Sequence, residues 1–181
     1  MKHTSPFPRE TDRTLLRPHQ ESDAAPLQRI YSQTEVARYL LDDPWSEMEA
    51  EQRVQQRLSQ TGLDQDNGAL ALVIEHDGTV IGDVLLWLTN PEHRVAEIGW
   101  VMDPAYGGQG LATEAVSTVL DIGLEHYALH RVAAQMDARN TASSRLAERI
   151  GMRHEAHLRQ DWWSKGEWTD TLIYGVLASD R

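Results

Sequence analysis

The stretch DPAYGGQGLATEA, Asp103 to Ala115, sets three glycines within four positions, Gly107, Gly108 and Gly110, at the mouth of helix-forming sequence. Glycine loses the most backbone freedom on folding, so such a cluster implies a backbone that must turn through left-handed conformations or come close to something. The flanks constrain the fold further. Before the loop, RVAEIGWVM (Arg94 to Met102) is β-rich; after it, Leu111 to Ala128 carries an apolar face made by Ala112, Ala115, Val116, Val119, Leu120 and Leu124, and then comes a second β-rich run, RVAAQMD. A helix joining two strands of one sheet in this way makes a right-handed crossover between parallel strands. The helix start then places the bare amides of the loop at the positive end of a helix dipole, where pyrophosphate is well accommodated.

Around this crossover the pattern is antiparallel. RTLLRP (Arg13 to Pro18) has the apolar centre and proline stop of a strand, and HQESDAAPLQRIYSQTEVARYL has helical spacing at Leu27, Ile30, Tyr31, Val36, Tyr39 and Leu40. Ser46, with Glu49 three residues later, reads as a capping box for a second helix running towards Gly62. Asp77-Gly78 marks a hairpin within GALALVIEHDGTVIGDVLLWL. Asn140 caps a helix through NTASSRLAERIG, and the tail forms another hairpin around SKG. The expectation is an α/β (α+β) fold: a mixed, mainly antiparallel central sheet of about seven strands with one parallel strand-helix-strand crossover, flanked by helices. At 181 residues one domain, residues 12–181, is expected. Residues 1–11 read as a disordered lead-in without the apolar core of a secretory signal.

Composition narrows the chemistry. There is no cysteine, which excludes disulfides, thiolate metal sites and cysteine nucleophiles. His154 and His157 are the one tempting histidine pair, but they fall on strand-like sequence, and no metal is expected. A formal net charge of −11 disfavours a nucleic-acid partner and suits a cationic one. No apolar run approaches the length of a membrane span, and a cytoplasmic protein is expected.

Three loop motifs compete at Gly107 to Thr113. The nucleotide-hydrolase loop requires a lysine followed by Ser or Thr, and GGQGLAT has none. A dinucleotide fingerprint matches in part at Gly108 and Gly110, with Thr113 where its third glycine belongs and Asp137 ending the next strand. The third reading uses more of the chain. EIGWVMDPAYGGQGLATEA, followed by LHRVAAQMDARNTASSRLAERIGM and the closing GEWTDTLIYGVL, resembles the GNAT superfamily of acetyl-CoA-dependent N-acetyltransferases, in particular its RimJ/RimL-like branch, from Leu15 to the C-terminus. The superfamily loop reads Q/R-x-x-G-x-G/A. Here Gly107 takes the Q/R position, Gly110 the glycine and Ala112 the final small residue, so the departure removes a side chain but no amide.

The resemblance implies roles. Trp100, Val101 and Met102 would bond the pantetheine arm through their backbone, while their side chains read as core packing. Gly107, Gly108, Gln109, Gly110, Leu111, Ala112 and Thr113 would hold the pyrophosphate. Asn140 would contact the pantetheine, although its capping role explains it equally well, and Ser143 would protonate the departing sulfur, since RLAERIG lacks the tyrosine that many members carry there. Glu97 is the first candidate base and Asp161 the second, each having an ion-paired or solvent-facing carboxylate as its alternative, and an amide near Val101 would meet the oxyanion. Trp45, Trp162, Trp163 and Trp168, from the early helical region and the hairpin around Lys165, are candidates to line the pocket for a small-molecule amine or a polypeptide N-terminus. The closing hairpin could support a homodimer. Two rivals stay open: a non-catalytic acyl-CoA-binding sensor, suggested by the missing tyrosine, and an NAD(P)-dependent oxidoreductase.

Overall fold

The computed structural model describes residues 5–181, and these form one nine-stranded sheet with helices on both faces. The chain enters through β1 (Arg9–Glu10) and β2 (Leu15–Pro18). The early helical stretch is α1 (Ala24–Tyr31) and a single turn α2 (Thr34–Ala37), broken at Gln33, whose extended backbone (φ −68°, ψ 127°) resets the axis. Next is α3 (Glu47–Arg57), with its capping box formed: the Glu49 amide donates to Ser46 Oγ at 3.2 Å, and the Ser46 amide to Glu49 Oε2 at 2.7 Å. This helix ends before Gly62, which lies instead in β3 (Thr61–Gly62).

The meander follows as β4 (Ala69–His76), β5 (Thr79–Asn90) and β6 (Val95–Met102). Asp77 and Gly78 both take positive φ (48° and 73°), the primed turn that matches strand twist. After the glycine loop come α4 (Leu111–Glu125), β7 (Arg131–Asp137), α5 (Thr141–Arg149), β8 (Arg153–Ser164) and β9 (Glu167–Leu177). The sheet order is β1-β2-β4-β5-β6-β7-β9-β8, with β3 beside β4, and β6–β7 is its parallel pair. Seven strands match the expected set; the further two, β1 and β3, are two residues each.

The expected lead-in needs correction. Residues 1–4 lie outside the described residues, but Phe7 is buried in the core and Arg9–Glu10 pair with Leu15 and Leu16. An aromatic side chain two residues before a strand can dock on the sheet, and burying it outweighs the order this imposes on a short segment.

Two apolar layers sandwich the sheet. On one face Val116, Leu120 and Leu146 of α4 and α5 pack on Leu86, Ile98 and Val132. On the other, Leu27 and Ile30 of α1 and Val54 of α3 pack on Val73 and Val101. The second layer contains a buried polar cluster. Asp83 on β5 is fully buried, accepts the Tyr31 hydroxyl at 2.7 Å and pairs with Arg57, with His19 Nε2 at 3.5 Å. Burial alone would favour the neutral acid, but the Arg57 guanidinium and the hydrogen bonds from His19 and Tyr31 hold Asp83 below the usual carboxylate range. Removing one partner of such a pair strands the other charge inside the protein. Asp83→Ala should therefore cost about 3–5 kcal/mol of folding free energy in urea denaturation.

Candidate active site

The site begins where the parallel ladder stops. β6 and β7 pair only at Val95↔Arg131, Ala96↔Val132 and Glu97↔Ala133, whereas β6 stays paired with β5 up to Met102 and β7 with β9 up to Asp137. The Asp103 amide donates to Ile81 O at 2.7 Å, in register with that antiparallel ladder. By the alternation of such ladders, Val101 turns its peptide groups to β5, and Trp100 and Met102 turn theirs into the fork. Of the three strand residues expected to bond the arm through their backbone, Trp100 and Met102 are the two whose peptide groups face the fork. Val101 is committed to the ladder and to the second core, which also corrects the expectation of an oxyanion donor at its amide. The side chains of Trp100 and Met102 pack against the first core.

The glycine loop opens at the same end. Gly108 (φ 73°) and Gly110 (φ 79°) are left-handed, a conformation costing an L-residue roughly 1–2 kcal/mol, whereas Gly107 (φ −67°) is extended. Only the last two glycines are thus required by the backbone. Gly110 is the N-cap of α4 and has no side chain to cap it, and the Glu114 amide closes the first helical turn on Gly110 O at 3.1 Å. The amides of Leu111, Ala112 and Thr113 precede that bond and are free to take an anion.

α5 forms the opposite wall. Asn140 Oδ1 accepts the Ser143 amide at 3.1 Å, so the cap is real, and Trp100 Nε1 donates to Ser143 Oγ at 3.3 Å across the fork. Fork, loop and α5 enclose a cavity of about 480 Å³. Trp100, Val101, Met102, Asn140 and Ser143 line it together with Gly107, Gly108, Gly110, Leu111, Ala112 and Thr113. Strand peptide groups, uncapped amides and a capped polar turn on one cavity match a ligand with an amide-bearing arm and phosphates.

A family model described as an acetyltransferase (GNAT) domain matches residues 13–153. The chain belongs to the GNAT acetyltransferase family. It is 32% identical over 171 residues to the uncharacterized N-acetyltransferase YoaA of Bacillus subtilis (93% of this chain, 95% of that protein). It is 25% identical over 158 residues to the spermidine N(1)-acetyltransferase of Escherichia coli (87% and 82%). The crystal structure of a GNAT-family acetyltransferase from Bacillus anthracis superposes with a TM-score of 0.84 at 26% identity, covering 94% and 98% of the two chains. Nothing in these comparisons supports the dinucleotide reading.

In this GNAT fold the other residues singled out in the sequence have separate fates. Glu97 ends the parallel ladder at the apex of the fork. It does not line the cavity, because its side chain and that of Trp100 leave opposite faces of β6. Burial pushes its carboxyl up, opposed only in part by Gln135 Nε2 donating to Oε2 at 3.2 Å. Asp161 is exposed and away from the cavity, because β8 shifts register between Leu158 and Trp162 and turns it outward. None of the four tryptophans lines the cavity. Trp45 is a core residue, 3% exposed and stacked on Tyr31 at 3.7 Å, since a large ring beside α1 gains more from burial than from a pocket wall. Trp162, Trp163 and Trp168 stand exposed on the last hairpin, Trp163 edge-on to Trp168. The early helical region reaches the cavity through Glu35, Val36, Tyr39 and Leu40 instead, and Lys165 Nζ donates to Leu40 O, tying the hairpin tip to that wall.

Sequence reasoning also missed what holds the loop. Glu114, in the first turn of α4, accepts the Thr11 hydroxyl and the Arg13 amide on Oε1 (2.5 and 2.6 Å) and Arg13 Nε on Oε2 (2.9 Å); Arg13 Nη1 donates to Gln109 O at 2.8 Å. The only signal was the pair of opposite charges, about a hundred residues apart. The Gln109 carbonyl is thereby fixed, and its side chain does not line the cavity. No helix of the described residues is long and apolar enough to cross a membrane, and no group of metal-ligating side chains forms among them.

Burial alone would raise the Glu114 carboxyl, but the donors from Thr11 and Arg13 outweigh it and hold the group below its ordinary value. A depressed carboxylate contributes stability above its unfolded pKa and loses it as pH falls through the folded one. Glu114→Gln should lower the thermal midpoint at pH 7, and the gap to wild type should close as pH falls through and below the ordinary glutamate range, followed by circular dichroism.

Proposed function

We propose that this enzyme transfers the acetyl group of acetyl-CoA to a primary amine by direct attack in a ternary complex. The observation that carries the reading is the cavity in which the unpaired strand edge of β6 meets the uncapped start of α4. The amides of Leu111 to Thr113 hold the pyrophosphate, the peptide groups of Trp100 and Met102 take the amides of the pantetheine arm, and Asn140 contacts that arm from the other wall. The thioester supplies an activated acyl carbon and a thiolate leaving group; the protein supplies position, a proton acceptor and a proton donor.

An ammonium has no lone pair, so the acceptor must lose a proton before it attacks. Glu97 accepts that proton, through an ordered water, from the apex of the fork; its raised carboxyl pKa makes it a better base than an exposed glutamate. Ser143 protonates the departing sulfur. Its oxygen already accepts the Trp100 indole N–H, which leaves its own hydrogen free to donate. A cleft-facing amide of β6, at Trp100 or Met102, meets the carbonyl oxygen. The acceptor is an amine-bearing small molecule or a polypeptide N-terminus. A similar chain is named for spermidine, and the wall from α2 adds the carboxylate of Glu35, which favours a cationic acceptor.

The test is thiol release from acetyl-CoA against a panel of polyamines, peptide N-termini and aminoglycosides. Release that requires both acetyl-CoA and an amine is expected; tight CoA binding without release on any amine would establish the sensor instead. Glu97→Gln should lower kcat by about 10²-fold or more at unchanged KM for acetyl-CoA. A base works only when deprotonated, so the wild-type rate should climb with pH through a range above that of an ordinary glutamate, and the mutant should lose this limb. Ser143→Ala should lower kcat while leaving CoA affinity in place.

A further inference from the structure

Two cations at the cavity are not used by the mechanism. Arg145 and Arg149 lie four residues apart on α5, which puts them on one face of the helix, and both line the cavity whose other wall is the glycine loop. Among the described residues they are its only basic lining residues. Arg149 is six residues, about 9 Å along the helix axis, beyond Ser143 and so away from the reacting end.

The two side chains are exposed, and among the described residues neither has an ion pair or a hydrogen bond. Carboxylates are plentiful in a chain with 28 acidic and 17 basic side chains, yet none among the described residues reaches either guanidinium. Arg13, Arg17, Arg57, Arg131 and Arg139 all hold carboxylate partners. An unpaired arginine pair facing a cavity is suited to an anion brought by a ligand, since the guanidinium fork matches phosphate geometry.

The loop leaves such an anion unmet. Its amides offer the partial charge of one helix end, about half an elementary charge, which suits a single diphosphate. Gly107 brings no side chain, and the loop's nearest cation, Arg13, is spent on Glu114 and Gln109 O. CoA carries a third phosphate on its ribose, and a protein of net charge −11 repels it unless a local cation compensates.

We propose that Arg145 and Arg149 bind the ribose 3′-phosphate of coenzyme A and make this enzyme select CoA over its dephospho form. The proposal rests on the CoA reading of the cavity. It is tested by calorimetric titration of CoA and of dephospho-CoA into wild type and into the Arg145→Gln/Arg149→Gln double variant. Both residues are exposed, so the variant should fold, which circular dichroism checks. Wild type should prefer CoA by about tenfold or more, and the variant should lose roughly 10- to 100-fold in CoA affinity with dephospho-CoA unchanged, collapsing the preference. Raised salt should weaken wild-type CoA binding more than the variant's. Equal weakening of both ligands would assign the arginines to the diphosphate and overturn the proposal, as would no change in either. Failure of wild type to bind either ligand would overturn the CoA reading itself, a separate outcome.

Discussion

The site of this GNAT fold depends on the point at which β6 and β7 stop pairing. A strand pair that parts in mid-sheet leaves peptide groups without partners, and such groups are costly unless water or a ligand meets them. Here the cost is confined. β6 holds β5 to its end and β7 holds β9 to its end, so only the edges facing each other are left open beyond Glu97 and Ala133. The gap is thus held by two intact ladders. Trp100, reaching from β6 to Ser143 on α5, ties its two walls together.

Charge placement follows the same economy. A protein this acidic must keep its carboxylates away from an anionic ligand, and it does so by pairing them. Glu114 sits within the first turn of the helix whose amides face the cavity, but it is drawn to Thr11 and Arg13 on the entering strand. Asp83, beneath the sheet, is closed off by Arg57 and Tyr31. On the loop and on α5, what remains unpaired towards the cavity is positive: the amides of α4 and the two arginines, whereas the carboxylates of Glu35 and Asp103 line the cavity from other elements.

Much of this was legible in order along the chain. The Ser46–Glu49 box, the Asp77-Gly78 turn and the Asn140 cap are local devices, complete within four residues, and each formed as read. The glycine loop was legible for the same reason, although the structure separates its members: Gly108 and Gly110 are needed for their left-handed backbone and Gly107 is not. Local reasoning failed where a residue's surroundings come from elsewhere in the chain. Phe7 looked like part of a loose lead-in because its docking site is made of distant strands. Trp45 looked like a pocket wall because nothing in its neighbourhood announces Tyr31 and Arg57 stacked around it. Asp161 fell on an irregular stretch of β8 whose register is set by its pairing with β9.

The crossover, the glycines at the helix start and the capped turn at Asn140 were written in the chain, because each is encoded by residue types at short, fixed spacing. Only the tertiary structure decided which edge of β6 is open, which face carries Glu97, and which charges are left unpaired beside the cavity. Those depend on where strands stop pairing and on partners far apart in the chain, such as Arg13 and Glu114, whose meeting is a property of the folded sheet and has no local signature.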